Sequence, residues 1–324
     1  MIAFLLAVFA VVVILLVVSY LTYRYAMVRD DKRQLPKSWE NPPEPRAMTQ
    51  DKLYGMWDEV RAAEVGIFQW QKEHGVKYTV KSHDGLKLSA RYLPPREGDP
   101  KAIILTVHGY RSNALHDFGI SAYDFLGKGY GTLMIDQRSH GESEGKVICY
   151  GVEERYDVRE WAKLLQREFP DTPVILNGIS MGAATVMAAA ALDLPENVKG
   201  IIADCGYTSI HDIIADVAKK RFHLPAFPLV PLTEFWCKQF NGFGFSDVDS
   251  RETLSHAKVP VFLAHGKADD FVPFWMGEEI YERNKTRLDL TFFVSETAKH
   301  GYSYLADYAG YTAAADAFLE KILK

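Results

Sequence analysis

The sequence predicts an α/β chain: a mainly parallel central sheet with helices on both faces, an inserted helical cap, and one apolar helix ahead of it all. Three observations carry this expectation. Short apolar runs of strand length recur from residue 102 onward and alternate with helical stretches, the pattern of a parallel sheet covered on both sides. The first 23 residues contain no charged side chain, and residues 2–18 are apolar throughout. One interval between strands, residues 206–257, is too long for a simple crossover and is rich in aromatics and proline.

Composition agrees with a folded body. Of 324 residues, 48% are apolar and 24% charged, enough to build a sizeable core. The 37 Lys and Arg against 42 Asp and Glu leave a formal charge of −5, which argues against nucleic acid as a partner. Cys149, Cys205 and Cys237 are too few and too scattered for a disulfide framework or a zinc site.

Taken in order, residues 1–23 read as a transmembrane anchor. At about 1.5 Å per residue the apolar stretch reaches roughly 33 Å, enough to cross a hydrocarbon core of about 30 Å. A signal peptide would carry a basic start, a shorter apolar stretch and a small-residue cleavage site, and none of these is present. Arg24, Arg29, Lys32, Arg33 and Lys37 follow the span, so the positive-inside rule places the body in the cytoplasm. Residues 24–47 read as a basic linker stiffened by Pro36, Pro42, Pro43 and Pro45. Residues 48–75 form an amphipathic helix whose stripe, Leu53, Met56, Trp57, Val60, Ile67 and Trp70, packs on the main domain rather than on lipid. The domain proper spans residues 76–324. It opens with a hairpin turning at Asp84 and Gly85. Buried strands follow at 102–107, 131–135, 173–176, 200–203, 259–264 and 290–294, and a last helix at 304–323. The cap at 206–257 carries Phe222, Phe227, Phe235, Trp236, Phe240, Phe243 and Phe245, either as its own core or as a surface for apolar substrate.

The strongest chemical signal is Gly178-Ile179-Ser180-Met181-Gly182, a G-x-S-x-G set between a strand and a helix-forming run. A serine on such a turn is held exposed at a strained corner, and the helix N-terminus favours negative charge beside it. A hydroxyl needs a base to remove its proton and an acid to orient that base. Downstream, His265-Gly266-Lys267-Ala268-Asp269-Asp270 offers two adjacent carboxylates, and His300-Gly301 follows the last strand.

With these motifs in this order, residues 76–324 resemble the α/β-hydrolase superfamily, nearest to membrane-anchored single-domain members that include Bem46-like, monoacylglycerol-lipase-like and serine aminopeptidase-like proteins. The resemblance implies Ser180 as nucleophile, Asp269 as acid with Asp270 facing solvent, and His300 as base. Asp204 is the reserve acid, since some relatives place it after that strand. The segment Leu105-Thr106-Val107-His108-Gly109-Tyr110 resembles the family's oxyanion loop, which implies backbone N–H groups of Tyr110 and Met181 as oxyanion donors and a structural role for His108. The run from Asp136 to Ser143 resembles the D-x-R-G-x-G-x-S loop, with Ser139 in place of a glycine and with Asp136 and Arg138 as braces. The activity implied is acyl transfer to water without metal or organic cofactor. Substrates would be hydrophobic acyl esters or lipid-derived esters. Two alternatives are a serine peptidase, with Asp212, Asp216 and Glu234 as possible holders of a substrate amine, and a membrane-tethered binding protein without catalysis.

Overall fold

The computed structural model describes residues 1–35, 39 and 54–324. The proline-rich part of the expected linker lies outside the described residues, as does the beginning of the expected amphipathic segment.

Helix α1 (Ile2–Met27) runs four residues past the expected end of the anchor. Arg24 does not stop it, because Ala26 and Met27 are buried against the body and extend the apolar seam. The residues just after it are also docked: Val28 bridges to Val147, and the Leu35 N–H donates to the Arg111 carbonyl at 3.1 Å. Helix α2 (Trp57–His74) buries Val60, Ala63, Ile67 and Phe68, at the 3- and 4-residue spacings of one helical face.

Strands β1 (Val76–Lys81) and β2 (Lys87–Leu93) form the hairpin. The remaining units alternate: β3 (Ile103–Val107), α3 (Ala114–Gly127), β4 (Gly131–Asp136), α4 (Glu154–Glu168), β5 (Val174–Ile179), α5 (Met181–Ala189) and β6 (Val198–Asp204). The insertion follows as α6 (Ile210–Phe222), α7 (Ala226–Asn241) and the short α8 (Ser250–Thr253). The chain then returns through β7 (Val261–Gly266), α9 (Phe274–Asn284), β8 (Leu290–Ser295), α10 (Ser303–Ala306) and α11 (Tyr308–Ile322). The last two replace the single helix expected at 304–323. They part at Asp307, whose side chain caps α11 by accepting from the Gly310 N–H.

The sheet order is β1-β2-β4-β3-β5-β6-β7-β8, with β3 to β8 parallel and β1 and β2 antiparallel at one edge. Side chains alternate across it, as the pleat requires. Leu105, Leu133 and Leu176 pack with Trp161 of α4 on one face; Ile104, Ile175 and Phe262 pack with Phe318 of α11 on the other. Because β5, β7 and β8 are parallel, the segments leaving their C-terminal ends emerge at one edge of the sheet, where ligands of open α/β sheets bind. The aromatics of the insertion divide. Phe243 and Phe245 are core, whereas Phe222, Phe227, Phe235 and Phe240 are exposed.

Candidate active site

Only Ser180 separates the end of β5 from the start of α5. Its backbone has φ 56°, in the left-handed region that disfavours a side chain by about 1–2 kcal/mol. So tight a turn requires the flanking glycines. A Cβ on Gly178 would overlap the Gly182 carbonyl, and one on Gly182 would overlap that of Val107. The Ser180 N–H donates to the Asp204 carbonyl at 2.9 Å, which holds the strained residue against β6.

Three side chains remote in sequence meet at this turn. His300 Nε2 lies 2.8 Å from Ser180 Oγ, and His300 Nδ1 lies 2.8 Å from Asp269 Oδ2. The other carboxylate oxygen of Asp269 accepts the N–H groups of Phe271 at 2.9 Å and Val272 at 2.8 Å, which fixes the carboxylate in the turn after β7. Burial pushes the Asp269 carboxyl upward. Hydrogen bonds and charge from His265 and His300 outweigh it and hold the group well below the usual carboxylate range. Asp270 is exposed. Asp204, the reserve acid, is bonded instead to Ser303 Oγ at 2.7 Å, and burial pushes its carboxyl up to about 6. A hydroxyl, an imidazole and an ionised carboxylate in this series can pass the hydroxyl proton to the imidazole and stabilise the cation that results. Cys205 Sγ lies within 4.8 Å of ligand atoms on Asp269 and His300, and burial pushes its thiol well above its ordinary range.

Met181 is the first residue of α5, so its N–H has no acceptor within the helix and points out of the N-terminus beside Ser180. The loop after β3 brings Tyr110 to the same place. Gly109 packs against Ser180 so closely that a Cβ there would stand 3.3 Å from the serine Cβ. Two buried histidines shape this loop. His108 Nε2 accepts the Gln137 N–H at 3.1 Å, leaving its proton on Nδ1, 2.8 Å from the Gly109 carbonyl. His140 accepts the Arg111 N–H at 3.0 Å and donates to the Arg138 carbonyl at 2.9 Å; burial holds its pKa well below the ordinary value, so it is neutral. His108 thus faces backbone and not the Ser180 hydroxyl.

The loop after β4 is a brace. Arg138, buried, binds both oxygens of Asp157 at 2.6 and 2.7 Å and reaches Asp84 at 3.0 Å. Ser139 takes the left-handed conformation of the glycine it replaces, at φ 64°, and its hydroxyl donates to the Val147 carbonyl at 2.7 Å.

Sequence reasoning missed two residues. Asp117, in the first turn of α3, accepts the Gly109 N–H at 2.7 Å and the Ser112 hydroxyl at 2.6 Å, pinning the loop that carries Tyr110. Its only mark in the sequence is an acidic residue early in a helix. His265 opens the motif that contains Asp269, yet nothing in the motif reveals its place. Its Nε2 lies 3.4 Å from Asp269 Oδ2 and 3.0 Å from the Val272 carbonyl.

Two cavities flank Ser180. One, of about 260 Å³, is mixed in character, with Ser112, Asp117, Asn177 and Tyr302 among its walls. The other, of about 340 Å³, is apolar, with Met181, Ile213, Val217, Leu229 and Val272 around it. None of Asp212, Asp216 and Glu234 borders either one. Asp212 is paired with Arg251, Asp216 with Lys220 and Glu234 with Lys238.

Residues 98–233 match a family model described as serine aminopeptidase, S33. The chain is 28% identical to an uncharacterized protein, YqkD, of Bacillus subtilis, over 76% of this chain and 79% of the relative. It is 32% identical to the monoglyceride lipase of Mus musculus, over 37% of this chain and 39% of that one. Among solved structures, an esterase of Pyrococcus furiosus superposes with a TM-score of 0.63 at 22% identity, covering 78% of this chain and 96% of that one. With its sheet order and its serine turn, the chain is a serine hydrolase of the α/β-hydrolase superfamily.

Proposed function

We propose that the protein is a membrane-anchored hydrolase of hydrophobic carboxylic esters, working through Ser180, His300 and Asp269. The observation that carries the reading is the hydrogen-bonded series Asp269–His300–Ser180, at 2.8 Å in both links. His300 Nε2 takes the proton as Ser180 Oγ attacks the ester carbonyl. The N–H groups of Tyr110 and Met181 hold the tetrahedral oxyanion. His300 then protonates the departing alcohol and activates water against the acyl-enzyme, while Asp269 keeps the imidazole proton on Nδ1 and stabilises the charged ring.

The apolar cavity beside Ser180 supports an acyl chain as the bound group, since each buried CH₂ contributes about 0.8 kcal/mol. The names of two relatives, a monoglyceride lipase and an esterase, agree with ester substrates. Amide cleavage from an amino terminus is less well supported, because Asp212, Asp216 and Glu234 are ion-paired and lie off both cavities, and Asp117, which borders one, already accepts the Gly109 N–H and the Ser112 hydroxyl. Anchoring rests on α1, whose apolar residues 2–17 are mostly exposed, and the basic residues that follow favour a cytoplasmic body.

A fluorophosphonate probe tests the nucleophile. Full-length protein labels, Ser180→Ala does not, and the same pair differs in the same way on p-nitrophenyl esters. Labelling that persists in Ser180→Ala would put the reactive serine elsewhere.

A further inference from the structure

The wall of the apolar cavity is not built by the hydrolase body alone. Val18, Leu21, Thr22, Tyr25 and Ala26, all from the last turns of α1, line it, facing Ile213, Ile214 and Val217 of α6. Two sets of contacts fix α1 in that position. Along α7, the Tyr20 ring stands edge-on to Trp236 at 5.5 Å, Trp236 Nε1 donates to Ser19 Oγ at 3.0 Å, and the Tyr23 hydroxyl donates to Asn241 Oδ1 at 2.7 Å. At its end, α1 exposes carbonyls that no further helical turn satisfies. The oxyanion loop satisfies them: the Tyr110 hydroxyl donates to Ala26 O at 2.8 Å, and Arg111 donates to Tyr25 O at 3.0 Å and Val28 O at 2.9 Å.

Length then sets the depth of the body. The part of α1 ahead of this seam, residues 2–17, is roughly 24 Å long at about 1.5 Å per residue. That falls short of a hydrocarbon core of about 30 Å. Crossing is completed only if turns already packed on α7 also lie at membrane level, which brings the cavity mouth to the leaflet surface. The side chains there suit it. Phe222, edge-on to Tyr25 at 5.8 Å, is 49% exposed and borders the cavity, and Phe240, packed on Tyr20 and Tyr23, is 57% exposed.

We propose that α1 is a wall of the substrate site as well as an anchor, and that the acyl chain of a lipid ester enters the cavity between α1 and α6 directly from the leaflet. The inference rests on Ser180 as an esterase nucleophile and on α1 as a membrane span. The test uses full-length protein reconstituted in phosphatidylcholine vesicles, with kcat/KM measured on p-nitrophenyl decanoate and acetate. Leu21→Trp and Thr22→Trp each fill the wall and lower the decanoate-to-acetate ratio at least tenfold. Val12→Trp, on the protruding part of α1, leaves the ratio within twofold of wild type. Fluorophosphonate labelling identifies which variants are folded, and an unchanged ratio in a labelled cavity variant overturns the wall. A second arm presents a fluorogenic long-chain ester that does not exchange between vesicles. It is cleaved at least tenfold faster when it shares vesicles with the enzyme; equal rates in shared and separate vesicles overturn entry from the leaflet. Wild type that labels but cleaves neither soluble ester refutes the esterase reading itself.

Discussion

Asp269 divides its work between two oxygens, and Asp269→Asn separates the two tasks. Oδ1 accepts two backbone N–H groups, so the amide oxygen of asparagine stays there and its NH₂ group faces His300. His300 Nδ1 must then accept, which moves the ring proton to Nε2, against Ser180 Oγ. The base is filled before the reaction starts. Loss of the correct tautomer in such a series lowers kcat by about 10⁴-fold, or roughly 5 kcal/mol at about 1.4 kcal/mol per decade. The backbone bonds at Oδ1 survive, so the variant keeps the wild-type fold. The assay is p-nitrophenyl ester hydrolysis beside a thermal unfolding curve. A folded Asp269→Asn enzyme retaining a tenth of wild-type kcat would refute the reasoning, and a matching collapse in Asp204→Asn would move the acid to β6.

Asp204→Asn has its own expected signature. The buried carboxyl titrates at about 6 in place of 3.8, so the native state holds its proton to higher pH than the unfolded chain. Wild-type stability therefore falls as pH rises from about 4 to about 6, and asparagine removes that loss. The variant should be more stable above pH 6 by about 2–3 kcal/mol, with no difference below pH 4, as read by denaturant unfolding at both values. Equal stabilities at pH 7 would sink the account. Gly182→Ala forces a Cβ into the Val107 carbonyl. It should cost about 3 kcal/mol or more, lowering the unfolding midpoint by roughly 6 °C or more and abolishing fluorophosphonate labelling. Wild-type melting with normal labelling would contradict the close approach.

The sheet was legible because each strand is a short run bounded by turn residues, and a parallel strand buried on both faces has no polar positions to obscure it. Ser180, Asp269 and His300 could be named because each leaves the end of a strand inside a compact motif. What the sequence hid is contact between distant surfaces. Residues 2–18 of α1 are apolar on every side, and the residues that meet α7, Ser19, Tyr20 and Tyr23, follow them in too short a stretch to show a periodicity. Asp117 and His265 act through tertiary geometry: one reaches a loop N–H from a neighbouring helix, the other lays its ring beside a carboxylate in its own motif. The charge of Arg24 sets the expected end of the apolar span at Tyr23, whereas the helix continues to Met27 on packing and on donors from another loop.

The seam between α1 and α7 also orders events in time. Ser19 and Trp236 are hydrogen-bonded across 217 residues of chain, so α1 waits for α7, which follows it, before its flank is covered. During that interval α1 must be stable alone, which an apolar helix is in lipid and is not in water. With α1 anchored as proposed, the body would mature by docking onto a helix already in place. A contact of such long sequence separation, which carries a high loop-closure cost in a free chain, would then be made between partners held near one surface. Synthesis away from a membrane would leave α1 and the exposed flank of α7 to find apolar partners on other copies of the chain.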